Sequence, residues 1–218
     1  APVAEPGGLG QAQHDAVRDT FSVSGATVLV RADLFEAIDG FPNDFPAYEE
    51  DTDLCWRAHL AGARVVVTPS AVVRHHETTL RSVPPEERFR AENTHRARMV
   101  LTNYSAAHLL RVLPQAVVFS IGDLIVNLLA FRLVKAADVV RTWTWNLGHL
   151  PRTLGIRKKM GLMRRAPDSE VRNFQVGGSA RVTAFIRGTV VESAARINTG
   201  AMQSRTVVQR LREGPSQV

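Results

Sequence analysis

Two kinds of hydrophobic pattern divide the chain. Up to about residue 105, apolar runs are short and broken by turn residues. Residues 21–30 (FSVSGATVLV) are β-branched and apolar with Gly25 inside, which predicts a buried strand where something approaches the backbone closely. Residues 31–38 predict a short helix closed by Gly40, and 41–48, with two prolines and an Asn-Asp pair, a loop. Residues 49–61 set Leu54, Cys55, Ala58 and Leu60 among charges, a helix that Gly62 ends. Residues 63–68 (ARVVVT) predict a second strand and 71–74 a third extended piece leading to His75 and His76, before a helix from Pro84 to Asn103. Strand, helix, loop, helix, strand argues an α/β fold.

Beyond residue 105 the pattern becomes helical and mostly apolar. Residues 112–134 carry only Asp123 and Arg132 as charges, yet the longest uncharged run is 11 residues, 112–122. A spanning helix needs roughly 20 apolar residues, and a central Asp costs about 2.5–3.5 kcal/mol on insertion scales. Ser120, Asp123, Asn127, Lys135 and Asp138 recur mostly at steps of three or four, one narrow polar stripe. The expectation is an amphipathic helix buried on most sides. Trp143 and Trp145 follow, then Arg152, Arg157, Lys158, Lys159, Arg164 and Arg165 interleaved with apolar residues, a composition suited to an anionic headgroup layer.

Charge sharpens the division. Residues 1–105 hold 15 acidic and 10 basic side chains, net −5, whereas 106–218 hold 6 and 17, net +11. An acidic site region and an anion-seeking surface are the expected pair. Without an aromatic-rich stacking strand, nucleic acid is not an expected partner. The single cysteine, Cys55, excludes an internal disulfide and fits a reducing compartment. The cations are 24 Arg and 3 Lys, a bias expected of a GC-rich (actinobacterial-like) bacterial genome as much as of phosphate chemistry. Residues 1–10 have no signal-peptide pattern and no initiator Met, so an interior loop or linker is expected over 1–19.

Chemistry concentrates in residues 45–76. Glu49, Glu50, Asp51 and Asp53 gather where the loop enters a helix. One carboxylate suffices to cap a helix; four in five residues repel, and should raise at least one pKa toward the range of a general base. Asp51-Thr52-Asp53 also reads DxD, but a metal-binding DxD ends an apolar strand, and here a loop precedes it.

In order and spacing, the stretch resembles the C-terminal half of family-2 glycosyltransferases. The matching residues are Ser24-Gly25-Ala26, Leu29, Arg31, Asp39-Gly40-Phe41, Phe45, Glu50-Asp51, Asp53-Leu54, Arg57, Gly62, Pro69, Ala71, Val73 and His75. The helix 89–104, with Arg90, Asn93 and Arg96, looks like the family's next helix, although Thr102-Asn103 stands where the family often has Lys-Asn. The resemblance implies a partial GT-A fold over 20–105; the pattern and charge of the rest add membrane-associated amphipathic helices over 106–165 and a polar, Arg-rich tail over 166–218, partly helical or disordered. It implies Asp51 as the catalytic base, with Glu50 orienting it or binding acceptor. Gly25, Ala26, Asp53, Trp56 and Arg57 are the implied acceptor or substrate contacts, with Asp53 also fixing the helix start, core packing an equal reading for Trp56, and pairing with the acidic cluster an equal reading for Arg57. His75, or alternatively His76, would be the ligand of Mg²⁺ or Mn²⁺. The implied activity is inverting transfer of a hexosyl or deoxyhexosyl group from a nucleotide-sugar donor to a glycan or lipid-linked acceptor at the cytoplasmic face of the cell membrane. The family's donor-binding half lies outside these residues, so the fragment alone is expected to be inactive. The processive members' Gln-x-x-Arg-Trp motif does not follow His76, which favours single transfers. The competing expectation is a non-catalytic membrane-docking module derived from half a transferase.

Overall fold

A computed structural model describes residues 16–44, 47–74 and 83–175 of the chain. The expectations for 1–15, Phe45, His75, His76 and 176–218 fall outside those residues. The observed elements are β1 (Arg18–Asp19), a 3-10 turn (Gly25–Thr27), α1 (Ala32–Ala37), α2 (Glu50–Leu60), β2 (Val66–Val67), α3 (Pro85–Asn103), α4 (Ala106–Leu129), α5 (Leu133–Gly148), α6 (Leu150–Met163) and α7 (Asp168–Arg172). Among the described residues the fold is mainly helical, and the one sheet is the antiparallel pair β1–β2, with Arg18 opposite Val67 and Asp19 opposite Val66.

This corrects the expectation of three strands. Residues 21–30 hold only the 3-10 turn, and 71–74 have no regular structure. An extended, apolar segment becomes a strand only beside a partner. Among the described residues, β1 and β2 have only each other. Phe21, Val23 and Val30 still pack onto the core, so their apolar pattern reported burial rather than pairing.

α2 is the centre. Every residue from Asp53 to Leu60 is buried, so the helix shows little amphipathicity and packs on all sides. Leu54, Cys55 and Ala58 face a cluster with Ile38 and Val65. Trp56 and Leu60 face a second one with Met99, Val100, Met160, Ala166 and Val171. The helix ends as its sequence predicts: Gly62 has φ +82, its N–H reaches His59 O at 2.9 Å and Ala63 N–H reaches Ala58 O at 2.9 Å, a Schellman closure. The following helix α3 lies along α2, and α5 and α6 pack on α3.

α4 overturns its expected burial. Asn127 alone among its residues is buried, and Ser120 and Asp123 are half-buried, so the polar stripe turns inward. The apolar side faces out: Leu110, Val118 and Leu129 are 78, 66 and 75% exposed. The basic segment of α6 is also redirected. Arg157 donates to Leu101 O and Tyr104 O, and Arg164 to Asn103 O and Asp168, satisfying carbonyls at the end of α3. Arg152 approaches Asp44 at 3.7 Å, and Lys159 pairs with Asp39 at 2.8 Å. Trp145 stacks on His149 with ring centres 3.9 Å apart. Much of the charge and aromatic character first assigned to a membrane surface therefore holds helices together.

Candidate active site

The acidic cluster sits where the loop 47–49 enters α2. Tyr48 and Glu49 both adopt left-handed backbone, φ 64 and 72. Two consecutive non-glycine residues in that region cost about 1–3 kcal/mol each. They persist because α3 holds them. His95 Nδ1 donates to Tyr48 O at 3.0 Å, which fixes the proton on that nitrogen because a carbonyl only accepts. Arg96 pairs with the Glu49 carboxylate. Burial lowers the pKa of His95, against the pull of the Tyr48 and Ala47 carbonyls, favouring its neutral form.

This entry splits the four carboxylates. Asp51 is half-exposed and faces the 3-10 turn: its Oδ2 accepts from Gly25 N–H at 2.9 Å and its Oδ1 from Thr52 N–H at 2.7 Å. The predicted close approach at Gly25 is therefore to Asp51 itself. A Cβ at Gly25 would stand 3.3 Å from Asp51 Cβ. Next to it, Glu50 has a buried Oε2 with no hydrogen-bond partner among the described residues. Burial, and then the charges of Asp51 and Glu49, push the Glu50 pKa up. The upward shift expected somewhere in the cluster thus falls on Glu50.

Asp53 points the other way, into the protein. It is 4% exposed, pairs with Arg57 at 2.7 Å and accepts from Asn103 Nδ2 at 2.8 Å. Arg57 also donates to Ile38 O and, at 2.7 Å, to Gly40 O, tying the end of α1 to α2. Trp56 is equally interior, edge-to-face with Phe21 at 5.6 Å and Tyr104 at 4.8 Å. Of the predicted acceptor contacts, Gly25 and the exposed Ala26 lie beside Asp51, whereas Asp53, Trp56 and Arg57 are structural by position. Asp51 and Asp53 cannot act together as a DxD metal clamp, because Asp53 is already engaged inside. No three His, Cys, Asp or Glu side chains converge on a metal position among the described residues.

Sequence reasoning missed the wall that α3 supplies. Asn103, Arg98, Arg96 and His95 hold Asp53, Asp44, Glu49 and Tyr48 respectively. Arg98 is fully buried and bonds Asp44 at 2.8 Å. A signal existed in the charged residues crowding one helix opposite an acidic loop, but charge on a helix ordinarily reads as a solvated face.

Residues 9–102, which contain this site, match the family described as "Glycosyltransferase like family 2". Over 80 residues the chain is 32% identical to the O-antigen biosynthesis protein RfbC of Myxococcus xanthus, covering 37% of this chain and 6% of that protein. The chain thus spans a small part of the curated relative it matches. No solved structure matches it.

Proposed function

We propose that this chain is the acceptor-side part of an inverting family-2 glycosyltransferase that builds a cell-envelope polysaccharide. The observation that carries the reading is the split of the acidic cluster. Asp51 alone combines access from outside with a fixed orientation, given by Gly25 N–H and the α2 N-terminus. The Asp51 carboxylate takes the proton of an acceptor hydroxyl as that oxygen bonds to the anomeric carbon. The bond from that carbon to the diphosphate breaks on the opposite face, the nucleoside diphosphate leaves, and configuration inverts. Glu50, its pKa raised by burial and by the neighbouring Asp51 and Glu49 charges, stands beside Asp51, where it orients that base or binds the acceptor.

The donor is a nucleotide sugar, of hexosyl or deoxyhexosyl type, and the acceptor a membrane-linked glycan or lipid at the cytoplasmic face. A divalent cation, Mg²⁺ or Mn²⁺, completes the proposal with His75 (or His76) as its ligand from this chain. A non-catalytic docking module is the second reading, favoured by the outward apolar face of α4. Titrating the complete protein with a nucleoside diphosphate and Mn²⁺, followed by calorimetry, separates the two. The transferase reading expects saturable binding, and no binding leaves only the docking module.

A further inference from the structure

α4 is built inside out. Its polar residues Ser120, Asp123 and Asn127 turn toward the protein, while Val117, Val118, Phe119, Ile121, Ile125, Val126, Leu128 and Leu129 are exposed. At 100° per residue these outward positions cover an arc of about 200°. A flat protein partner would cover one side of such a helix; a fluid apolar medium covers the whole arc. The apolar surface continues over the turn into α5 through Phe131, Leu133 and Val134, which are 88, 65 and 58% exposed. That turn closes with Arg132 N–H on Asn127 O at 2.8 Å and places Phe131 in left-handed backbone at φ 55. A bulky aromatic held there is strained, and its side chain is exposed.

Charge along the hairpin favours an anionic medium. The acidic side chains of α4 and α5, Asp123 and Asp138, face inward, Asp138 pairing with Arg90 at 2.6 Å and with Arg141 at 3.3 Å, whereas Arg111 is exposed and the Arg141 side chain stays 59% exposed despite that pair. α4 is long and apolar enough to cross a membrane, with a mean hydropathy of 1.8 over its best window. A crossing hairpin would need a second apolar arm, and α5 has Lys135, Asp138 and Arg141 within its first nine residues.

We infer that the outer face of α4, together with the Phe131 turn, is immersed in one leaflet of an anionic lipid bilayer without crossing it. The inference deepens the membrane-linked-acceptor reading of the proposed function, but vesicle binding requires no sugar transfer, so either can fail alone.

The test uses flotation of the full chain with vesicles of phosphatidylglycerol and phosphatidylcholine. The wild-type chain co-floats and stays bound in 1 M salt. The triple variant Val118→Asp/Ile125→Asp/Leu129→Asp, altered only at exposed positions, partitions at least about tenfold more weakly. The control Val72→Asp, at an exposed valine outside the hairpin, leaves binding unchanged. Circular dichroism confirms that both variants are folded. Because Cys55 is buried and is the chain's one cysteine, a Phe119→Cys variant takes an environment-sensitive fluorophore selectively. Its emission should shift to the blue with vesicles and be quenched by lipids carrying nitroxides in the acyl chains. Three results overturn the inference: no flotation, equal flotation of the triple variant, or a dimer in sedimentation that the triple variant dissociates while vesicles capture neither form. The last would assign the face to a second copy of the chain.

Discussion

Asp53→Ala tests the division of labour among the carboxylates. The substitution removes a carboxylate that is 4% exposed, pairs with Arg57 at 2.7 Å and accepts from Asn103 at 2.8 Å. Breaking a buried ion pair by deleting one partner costs about 3–5 kcal/mol, since the other charge is left uncompensated. Arg57 keeps the carbonyls of Ile38 and Gly40 as acceptors, so the lower end applies, about 3 kcal/mol. For a chain of this size that corresponds to a fall in Tm of about 6–12 °C. Urea unfolding followed by tryptophan fluorescence reads it directly, since Trp56 packs on the same helix. Asn103→Ala removes one hydrogen bond to a charged group and costs about 1.5 kcal/mol. Combined with Asp53→Ala it adds less than that, because the two share one interaction. Asp51→Ala, whose carboxylate is half-exposed, costs no more than about 1 kcal/mol. A loss below about 1 kcal/mol for Asp53→Ala, or an equal loss for Asp51→Ala, would refute the assignment of Asp53 to structure and Asp51 to chemistry.

Three further outcomes follow from the same geometry. Gly62→Ala forces a Cβ onto a residue at φ +82 and should cost about 1 kcal/mol in urea unfolding; a neutral effect would contradict the Schellman closure. Gly25→Ala puts a Cβ 3.3 Å from Asp51 Cβ, so transfer by the complete protein should fall roughly tenfold or more while stability changes little. Wild-type stability should decline as pH rises from the free-Glu value of 4.5 through the raised folded-state value of Glu50, because over that window the native state binds the proton that the unfolded state has released. Glu50→Gln removes that decline, so the variant should gain on the wild type as pH rises above 4.5. Parallel unfolding profiles across that range would contradict it.

How much of this was legible in the sequence depended on the range of the interaction. Local signals served well: Gly40 and Gly62 at helix ends, the proline at the start of α3, and the acidic entry to α2 all stand where the pattern put them. Strands were misjudged because a strand exists only through a partner distant in sequence, and the β-branched run at 21–30 finds none among the described residues. For Trp56 and Arg57 the local pattern left a substrate contact and an interior role equally open, because it does not say what α2 packs against. The partners that bury Asp53 and Arg57 come from 17 to 50 residues away, at Gly40, Ile38 and Asn103. The period of α4 was read correctly and its direction reversed. A polar stripe on an apolar helix does not say which side meets the protein, and Asn127 answers that only once α5 is in place. Several cations of α6 bond within the protein, so the inferred lipid contact rests on the exposed apolar arc of α4.

The most direct test of the central claim is transfer of labelled sugar by the complete protein carrying Asp51→Asn, assayed with its membrane acceptor and paired with the unfolding midpoint of the same variant. The substitution keeps one acceptor oxygen, for Gly25 N–H, puts an NH2 where the other oxygen accepts from Thr52 N–H, and removes the basic carboxylate, so the rate should fall by about 10²–10⁴ while the midpoint drops by no more than about 4 °C. Transfer near the wild-type rate by a folded Asp51→Asn protein would show that Asp51 is not the base.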